Sequence, residues 1–390
     1  MAETPLFFLI AGEASGDLLG ARLMHALKKT TDGNVRFAGI GGPRMQAEGM
    51  DLFFSQAELA HFGLFELLRH VPHLLNRMKQ TIAEVKRVKP AALITIDAPD
   101  FCFRVAKKLK GEDIPLIHYV APTVWAWRAG RARKIAQFLD HLLALLPFEP
   151  PYFTAEGLDC TFVGHPIVES GAGQGDAARF REKYRVAQDA TLLAILPGSR
   201  MSEVSKLLPI FAEAVRGLKA LHPDLQIVIP VVPNLASYVK VQTANWLVPL
   251  IFTEDDADKY DALAAAKGAL ACSGTVAIEL AMAGLPAVIA YKLSSFTHFL
   301  YRRFVNFQFA SLVNIMHEKM VVPELIQDNC TPEKLTAAVH DILNNETARQ
   351  EQIAGLKDVA GWLGQGQFVP SEKAAETVLG VVKHNQAKNL

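Results

Sequence analysis

The chain alternates short apolar runs with longer stretches in which apolar and polar positions repeat at helical spacing. Apolar runs of about five residues without polar alternation are typical of strands buried on both faces of a parallel sheet. The stretches between them predict the helices that connect such strands, and hence an α/β fold. The predicted strands lie at or near residues 6–11, 35–40, 92–96, 116–120, 141–146, 192–196, 226–231, 248–252, 269–272 and 287–291.

The turn after the predicted strand 192–196 gives the clearest indication of a binding site. Gly198 frees the backbone for a tight turn, and a helix is predicted to follow with Ser199 or Ser202 as its N-cap. Free N–H groups at a helix start attract anions, and the guanidinium of Arg200 suits a phosphate. The sequence therefore predicts a phosphate site; the alternative is an ordinary turn with an exposed arginine.

A similar turn closes a later strand. Ser273, Gly274 and Thr275 lead into a predicted helix, on which Glu279 lies about one turn beyond Thr275. A carboxylate behind an anion-binding helix start can accept hydrogen bonds from ribose hydroxyls. The alternative for Glu279 is a surface residue without a ligand.

The loop after the first predicted strand repeats this arrangement, which predicts that the protein has two similar halves. Its glycines and acids suit sugar hydroxyls better than a phosphate. The alternative is a capped helix start with solvated acids, with Ser15 as the N-cap of a helix over residues 18–29. The candidate binding residues of this loop are Gly12, Glu13, Ser15, Gly16 and Asp17.

Two aspartates follow the predicted strand 92–96. Ligands of open α/β sheets bind outside the carboxyl ends of the strands, so an aspartate there is a candidate general base. Either Asp97 or Asp100 can instead cap the following helix. Because the two roles are compatible, we assign catalysis to Asp97, which is nearer the strand end, and capping to Asp100.

Residues 62–79 combine large apolar side chains with basic ones, and Pro72 is expected to break or kink a helix there. One interpretation is an amphipathic helix facing the core. The other is an interfacial segment on anionic lipid, for which the apolar contacts would be Leu64, Phe65, Leu67, Leu68, Val71, Leu74 and Leu75. Residues 296–309 are a second apolar and basic segment with the same alternatives. For Trp125 and Trp127 a core position is preferred over a ligand pocket.

Composition excludes several classes of protein. The formal net charge is +0, so no global field attracts nucleic acid. The four cysteines are scattered, which argues against a zinc cluster or a disulfide scaffold and suits a reducing cytoplasm. The N-terminal residues are not expected to form a secretory leader, and no apolar run reaches about 18 residues. The D-x-D at residues 256–258 is interpreted as a helix start rather than a metal site.

The expected organisation is a first domain over residues 1–168, a linker over 169–187, a second domain over 188–345 and C-terminal helices over 346–390. Several motifs together resemble the donor half of GT-B glycosyltransferases and, over residues 11–279 with Asn314, the lipid-A-disaccharide synthase family. They are AGEASGD (11–17), GPRMQAEG (42–49), IDAPDF (96–101), HYVAPTVWAWR (118–128), LPFE (146–149), GH (164–165), LPGSR (196–200) and SGTVAIE (273–279).

This resemblance implies a GT-B fold, with two Rossmann-like α/β domains facing a central cleft. It implies transfer of 2,3-diacylglucosamine from its UDP donor to 2,3-diacylglucosamine 1-phosphate, with inversion, giving a β-1′,6 disaccharide of lipid A biosynthesis and UDP. Asp97 would be the base. Gly198, Ser199, Arg200 and Thr275 would bind the diphosphate without a metal or other cofactor, Glu279 the ribose, and Asn314 the donor sugar or diphosphate.

The same resemblance favours the interfacial interpretation of residues 62–79. The expected location is therefore the cytoplasm, peripherally on the inner face of the cytoplasmic membrane, with a homodimer left open. One alternative function is a UDP-sugar 2-epimerase of the same architecture, which needs no lipid surface. Another is a non-catalytic two-domain binding protein, which would normally be secreted.

Overall fold

The computed structural model describes residues 4–60, 67–125, 130–292 and 309–388, apart from the side chains of residues 60 and 67–71. The chain divides into two compact units. The first runs to Pro166 and resumes at Gly366, and the second is Ile167–Gln365. Short 3₁₀ turns occupy Pro166–Glu169, Pro233–Leu235 and Gln327–Asn329.

The first unit is a parallel sheet with helices on both faces. Its strands are β1 (Leu6–Ala11), β2 (Arg36–Gly41), β3 (Asp51–Ser55), β4 (Ala92–Ile96), β5 (Leu116–Tyr119), β6 (His141–Ala144) and β7 (Asp159–Phe162). Its helices are α1 (Ala14–Thr30), α2 (Pro43–Ala47), α3 (Ala57–Ala60), α4 (Leu67–Val88), α5 (Pro99–Leu109), α6 (Gly130–Ala136), α7 (Pro150–Thr154) and, after the second unit, α16 (Pro370–Lys388). The strand order is β3-β2-β1-β4-β5-β6-β7.

Burial on both faces explains the apolar runs of the central strands. On one face Phe7 and Leu9 of β1 pack with Leu23 of α1 and Val378 of α16. On the other face Phe8 packs among side chains of β4, α5 and β6. Because both faces of β1 are covered, its side chains are apolar without alternation, as the sequence predicts.

The second unit repeats this architecture. Its strands are β8 (Leu192–Leu196), β9 (Gln226–Pro230), β10 (Leu250–Thr253), β11 (Gly268–Cys272), β12 (Ala287–Tyr291) and β13 (Glu324–Ile326). Its helices are α8 (Ala177–Tyr184), α9 (Met201–Leu221), α10 (Ala236–Thr243), α11 (Asp256–Ala265), α12 (Val276–Ala283), α13 (Leu312–His317), α14 (Pro332–Asn344) and α15 (Glu346–Trp362). The strand order is β10-β9-β8-β11-β12-β13, and all the pairs are parallel.

Both sheets have the doubly wound order in which the first and fourth strands are neighbours. At that point the order in which successive strands are added to the sheet reverses. The loops after the two strands therefore diverge, which leaves a crevice at the carboxyl edge. In the first unit the loops are those after β1 and β4, and in the second those after β8 and β11. The prediction of two Rossmann-like α/β domains is confirmed, and the fold places every glycine-containing candidate loop at a switch point.

Segments outside the central strands take positions that the sequence did not indicate. Residues 177–184, within the predicted linker, form α8, whose Arg179 guanidinium donates to Asp261 of α11 at 2.5 and 2.7 Å. Of the predicted C-terminal helices, α15 lies in the second unit and α16 in the first, where it packs on α1. Helix α4 continues through Pro72 instead of breaking there.

Candidate functional site

A cavity of about 460 Å³ opens at the carboxyl edge of the second sheet. Residues at the ends of β8, β9, β10 and β11 line it, so it lies at the switch point between β8 and β11. Its volume is in the range of small-molecule sites. The predicted residues that line it are Gly198, Ser199, Arg200, Ser273, Gly274, Thr275 and Glu279.

The loop after β8 is held from within by Glu203. Gly198 has a φ of +117°, and a Cβ there would lie 2.7 Å from a Glu203 carboxylate oxygen. The same oxygen accepts from the Ser199 and Arg200 amides at 3.2 and 3.3 Å. Arg200, rather than either serine, occupies the N-cap position of α9. Glu203 was not predicted from the sequence, and its carboxylate accepts from the amides expected to bind a phosphate.

The loop after β11 leaves more room. A Cβ on Gly274 would meet no atom within 4 Å, and Thr275 occupies the N-cap position of α12 without a side-chain capping bond. Gly284 ends the helix in the left-handed conformation that glycine adopts readily at a helix C-terminus. The helix start therefore borders the cavity with a polar, uncrowded turn.

Lys259 is a further cationic residue of the cavity, which the sequence analysis did not single out. Its ammonium lies 3.1 Å from Glu279 and 3.3 Å from Asp256. Burial lowers the pKa of Lys259, but the carboxylates of Glu279 and Asp256 outweigh it and leave the pKa above its usual value. In the sequence, the feature that could have identified Lys259 is its position three residues after Asp256. Thr253, buried at the cavity wall, has a hydroxyl without a partner among the described residues.

Asn314, predicted to bind the donor sugar or diphosphate, makes its side-chain hydrogen bonds in this structure to the protein. It is fully buried. Its amide nitrogen donates to Val322 O and Glu324, and its oxygen accepts from the Val321 and Val322 amides. These hydrogen bonds join α13 to residues 321–324, which lead into β13.

The acids of the D-x-D and the neighbouring Asp255 form hydrogen bonds or ion pairs within the second unit. Asp255 caps α11 by accepting from the Asp258 amide at 2.8 Å. Asp258 accepts from Lys183 and Tyr184 at 2.6 Å, and these hydrogen bonds lower its pKa. Asp256 is exposed and faces Lys259. The acids thus serve the helix start and its packing on α8.

In the first unit, the loops after β1 and β4 meet at close range. Asp97 and Ala98 both have left-handed φ values, +52° and +42°. A Cβ on Gly12 would lie 2.6 Å from the Ala98 Cβ, so glycine is needed for the two loops to approach. Asp97 is half-buried, and Ser15 donates to it at 3.4 Å. Asp97 is therefore presented at the carboxyl edge of the sheet.

The predicted sugar-binding loop separates into exposed and structural residues. Glu13 and Ser15 are exposed, whereas Gly12, Gly16 and Asp17 are buried. Helix α1 begins at Ala14, so Ser15 lies inside its first turn rather than at its N-cap.

Asp17 is corrected from a ligand contact to a structural cap. The residue is 3% exposed, and its carboxylate accepts from the amides of Gly42, Arg44 and Met45 at 2.8, 3.1 and 3.0 Å. It thereby holds the start of α2. Asp100 likewise lies in the first turn of α5, where Ala98 occupies the N-cap position.

The described part of the amphipathic segment lies in α4. Leu75 is 41% exposed and Leu74 half-buried, while Arg77 pairs with Glu58 at 2.5 Å and stacks over Phe54. Leu64, Phe65, Trp127 and residues 296–308 of the second segment lie outside the described residues. The side chains of Leu67, Leu68 and Val71 are likewise not described. Among the described residues, no helix has the length and apolarity to cross a bilayer.

A buried carboxylate lies at the same edge of the first sheet. Glu149, after β6, is 2% exposed and accepts from the Trp125 indole at 3.2 Å and the Leu146 amide at 3.0 Å. Burial raises its pKa to about 7, against the opposing effect of these hydrogen bonds. In the sequence, the LPFE motif contributes only to the family resemblance, and no role is predicted for Glu149.

The pKa of Glu149 predicts a pH-dependent stability. Because the folded pKa of about 7 exceeds its ordinary value of 4.5, the favourable contribution is complete below pH 4.5 and is lost as the pH rises to about 7. The loss is on the order of 3 kcal/mol at 1.36 kcal/mol per unit. Denaturant melts from pH 4.5 to 8 should therefore show a steeper fall in the wild type than in Glu149→Gln. Parallel curves would contradict the assignment.

Comparison with known proteins gives the family. The lipid-A-disaccharide synthetase family model matches residues 7–378. The lipid-A-disaccharide synthase of Rhodospirillum centenum is 58% identical over 379 residues, 97% of this chain and 94% of that protein.

Solved structures share the fold. The calicheamicin glycosyltransferase has a TM-score of 0.60 at 16% identity, covering 98% of this chain and 99% of its own. The UDP-GlcNAc 2-epimerase from Neisseria meningitidis has a TM-score of 0.62 at 11% identity, covering 96% and 99%. These identities support the fold alone, whereas the family match extends through both units and all the candidate loops. The chain belongs to the lipid-A-disaccharide synthase family.

Proposed function

We propose that this chain transfers 2,3-diacylglucosamine from UDP-2,3-diacylglucosamine to 2,3-diacylglucosamine 1-phosphate, releasing UDP and forming the β-1′,6 disaccharide. The observation that carries the proposal is the cavity of the second unit, where the loops after β8 and β11 bring a guanidinium, two serines and a helix start together. Such a site suits a diphosphate leaving group. The family match supports the acylated sugar as the group transferred.

The donor site divides into an anionic and a polar part. Arg200 and the turn residues Ser199 and Thr275 bind the diphosphate and stabilise the charge that develops as it leaves. Glu279, beside Lys259, accepts from the ribose hydroxyls, and the Thr253 hydroxyl, which has no partner among the described residues, is available to the rest of the nucleoside. The Arg200 guanidinium donates to Glu203 through one nitrogen at 3.1 Å, and its exposed side chain leaves further N–H donors for the diphosphate.

Inversion requires a single displacement with a base on the acceptor hydroxyl. Asp97 is the residue proposed for this step, because it stands half-buried at the carboxyl edge of the first sheet with one long hydrogen bond from Ser15. The carboxylate takes the proton of the acceptor 6-hydroxyl as that oxygen attacks the anomeric carbon. The electron pair of the broken bond leaves on the diphosphate of UDP.

Release of UDP tests this function. Purified protein is mixed with UDP-diacylglucosamine, with and without diacylglucosamine 1-phosphate, and UDP and disaccharide are measured. UDP and disaccharide appearing together, only with acceptor, are expected. An epimerised donor sugar would instead support the UDP-sugar 2-epimerase alternative, whose support is a distant structural likeness. Binding without any turnover would support a non-catalytic protein.

Docking on the cytoplasmic leaflet is the proposed means of reaching acylated substrates. Drawing an acyl chain into water costs about 0.8 kcal/mol per exposed CH₂, and an enzyme at the interface avoids that cost. The exposed Leu75 on α4 supports this surface. The basic rim is smaller than the sequence implies, because Arg77 and His73 contact Glu58.

Replacing Phe65, Leu68 and Leu75 together by Ser is expected to move the protein from vesicles to the soluble fraction. The reason is the loss of apolar area at the interface. Vesicle co-sedimentation and a thermal melt are measured on the same variant, with Leu247→Ser as the control, since Leu247 is an 85% exposed leucine of the second unit. A large fall in the melting temperature would instead show that these three side chains belong to the core, and it would contradict docking.

A further inference from the structure

We infer that Glu149 is a positioning residue for the transfer reaction, holding residues 121–125 after β5 and, through them, the backbone next to Asp97. The inference rests on the proposed function, in which Asp97 is the base. It gives a role to two motifs, HYVAPTVWAWR and LPFE, that the donor site does not use. Trp125 belongs to the first motif and Glu149 to the second.

The contact between the two motifs is specific. The Glu149 carboxylate accepts from the Trp125 indole at 3.2 Å through one oxygen and from the Leu146 amide at 3.0 Å through the other. Trp125 also packs edge-on against the ring of Phe148, with centroids 5.2 Å apart. The loops after β5 and β6 are therefore joined by a partly buried hydrogen bond and an aromatic contact.

A short path runs from this contact to Asp97. The Asp97 amide donates to the carbonyl of Tyr119 at 3.0 Å, at the end of β5. Val120 follows with a φ of +85°, a conformation that a β-branched residue adopts only when its surroundings impose it. Its amide donates to Leu143 of β6 at 3.1 Å. Glu149 fixes the other end of this strained segment through Trp125.

Ionisation of Glu149 changes the contact. The carboxylate accepts at both oxygens, whereas the carboxylic acid carries an O–H that competes with one of the two donors. With a pKa of about 7, the side chain changes form within the range where the enzyme is assayed. Its ionisable neighbour on β7 is Cys160, a neutral thiol whose pKa burial raises to about 12. Arg133 of α6 and Glu156, after α7, pair with each other at 3.0 Å on the surface.

Kinetics of matched variants test the inference. Glu149→Gln keeps the shape but presents an amide N–H₂ to one of the two donors, and Trp125→Phe removes the indole donor while keeping an aromatic ring. Both should lower kcat by about tenfold or more, since small displacements of a catalytic group are costly, and leave the Kd of UDP unchanged. The wild-type kcat should fall as the pH drops through about 7, and this fall should be absent in both variants. Glu156→Gln, at a partly exposed acid that pairs with Arg133, is the control and should behave as wild type.

A titration without substrate separates this inference from the proposed function. Tryptophan emission of the wild type should change in a transition near pH 7 that is missing in Trp125→Phe and in Glu149→Gln. If wild-type protein transfers no sugar but shows this transition, the proposed function fails and the contact stands. The inference is overturned if the transition persists in Glu149→Gln, or if Trp125→Phe keeps wild-type kcat and its pH dependence. The Trp125→Phe arm decides the matter if Glu149→Gln does not fold.

Discussion

Asp97→Asn is expected to lower turnover by about 10² or more, the usual effect of losing a general base. Asparagine has nearly the same shape and also tolerates the left-handed backbone that Asp97 adopts at a φ of +52°. The hydrogen bond from the backbone amide of residue 97 to the Tyr119 carbonyl does not involve the side chain, so the substitution leaves it in place. Folding and UDP binding should therefore stay near wild type while the proton acceptor is lost.

The matched control is Asp100→Asn, in the first turn of α5 and exposed. It removes the same charge three residues away and should change turnover little. Steady-state kinetics with both substrates, a UDP titration and a thermal melt on each variant complete the comparison. Near-normal turnover in Asp97→Asn, with a large loss in Asp100→Asn, would move the base to Asp100.

The central strands were predictable because their burial leaves a direct trace in the sequence. Strands β1 and β8 are buried on both faces and have the predicted bounds, Leu6–Ala11 and Leu192–Leu196. Strands β3, β7 and β13 escaped prediction. They lie at the sheet edges and are partly exposed, so they lack the continuous apolar run.

The candidate loops were predictable for a similar local reason, since a strand, a glycine turn and a helix are adjacent in sequence. Roles that depend on distant partners were not. Asp17 looks like a loop acid, but its donors are the amides of Gly42 to Met45. Asn314 looks like a ligand contact, but Val322 and Glu324 occupy it. In both cases the fold brings hydrogen-bond partners to a polar side chain that appears available for a ligand when only its sequence neighbours are considered.

Glu203 shows a different limit. It lies three residues after Arg200, the spacing of a capping box, but the arginine at the N-cap position hides the pattern. The Glu203 carboxylate also lies too close to residue 198 to leave room for a Cβ there. Glycine is therefore needed at this position for the contact as well as for the turn. A local rule was sufficient here, but only when applied without requiring serine or threonine at the cap.

The second large effect is expected from Arg200→Ala, which should weaken UDP binding and slow transfer together. The charge that Arg200 meets is present on the bound diphosphate and grows as the bond to the sugar breaks, so both the ground state and the transition state lose an interaction. Charge-assisted hydrogen bonds contribute about 1.5–3 kcal/mol, which corresponds to an increase in the Kd of UDP on the order of tenfold to a hundredfold. Ser199 and Thr275 of the two turns remain at the cavity, so binding should weaken without vanishing.

Arg216→Ala is the matched control on the same helix. Arg216 pairs with Glu213 at i,i+3, as Arg200 does with Glu203, and the two arginine side chains are 72% and 77% exposed. Exposed pairs of this kind contribute little stability, so neither variant should melt much earlier than wild type. Calorimetric UDP titration and steady-state kinetics at two salt concentrations are the measurements, because screening should weaken the Arg200 contribution. Unchanged UDP affinity in Arg200→Ala, or equal losses in both variants, would remove Arg200 from the diphosphate site.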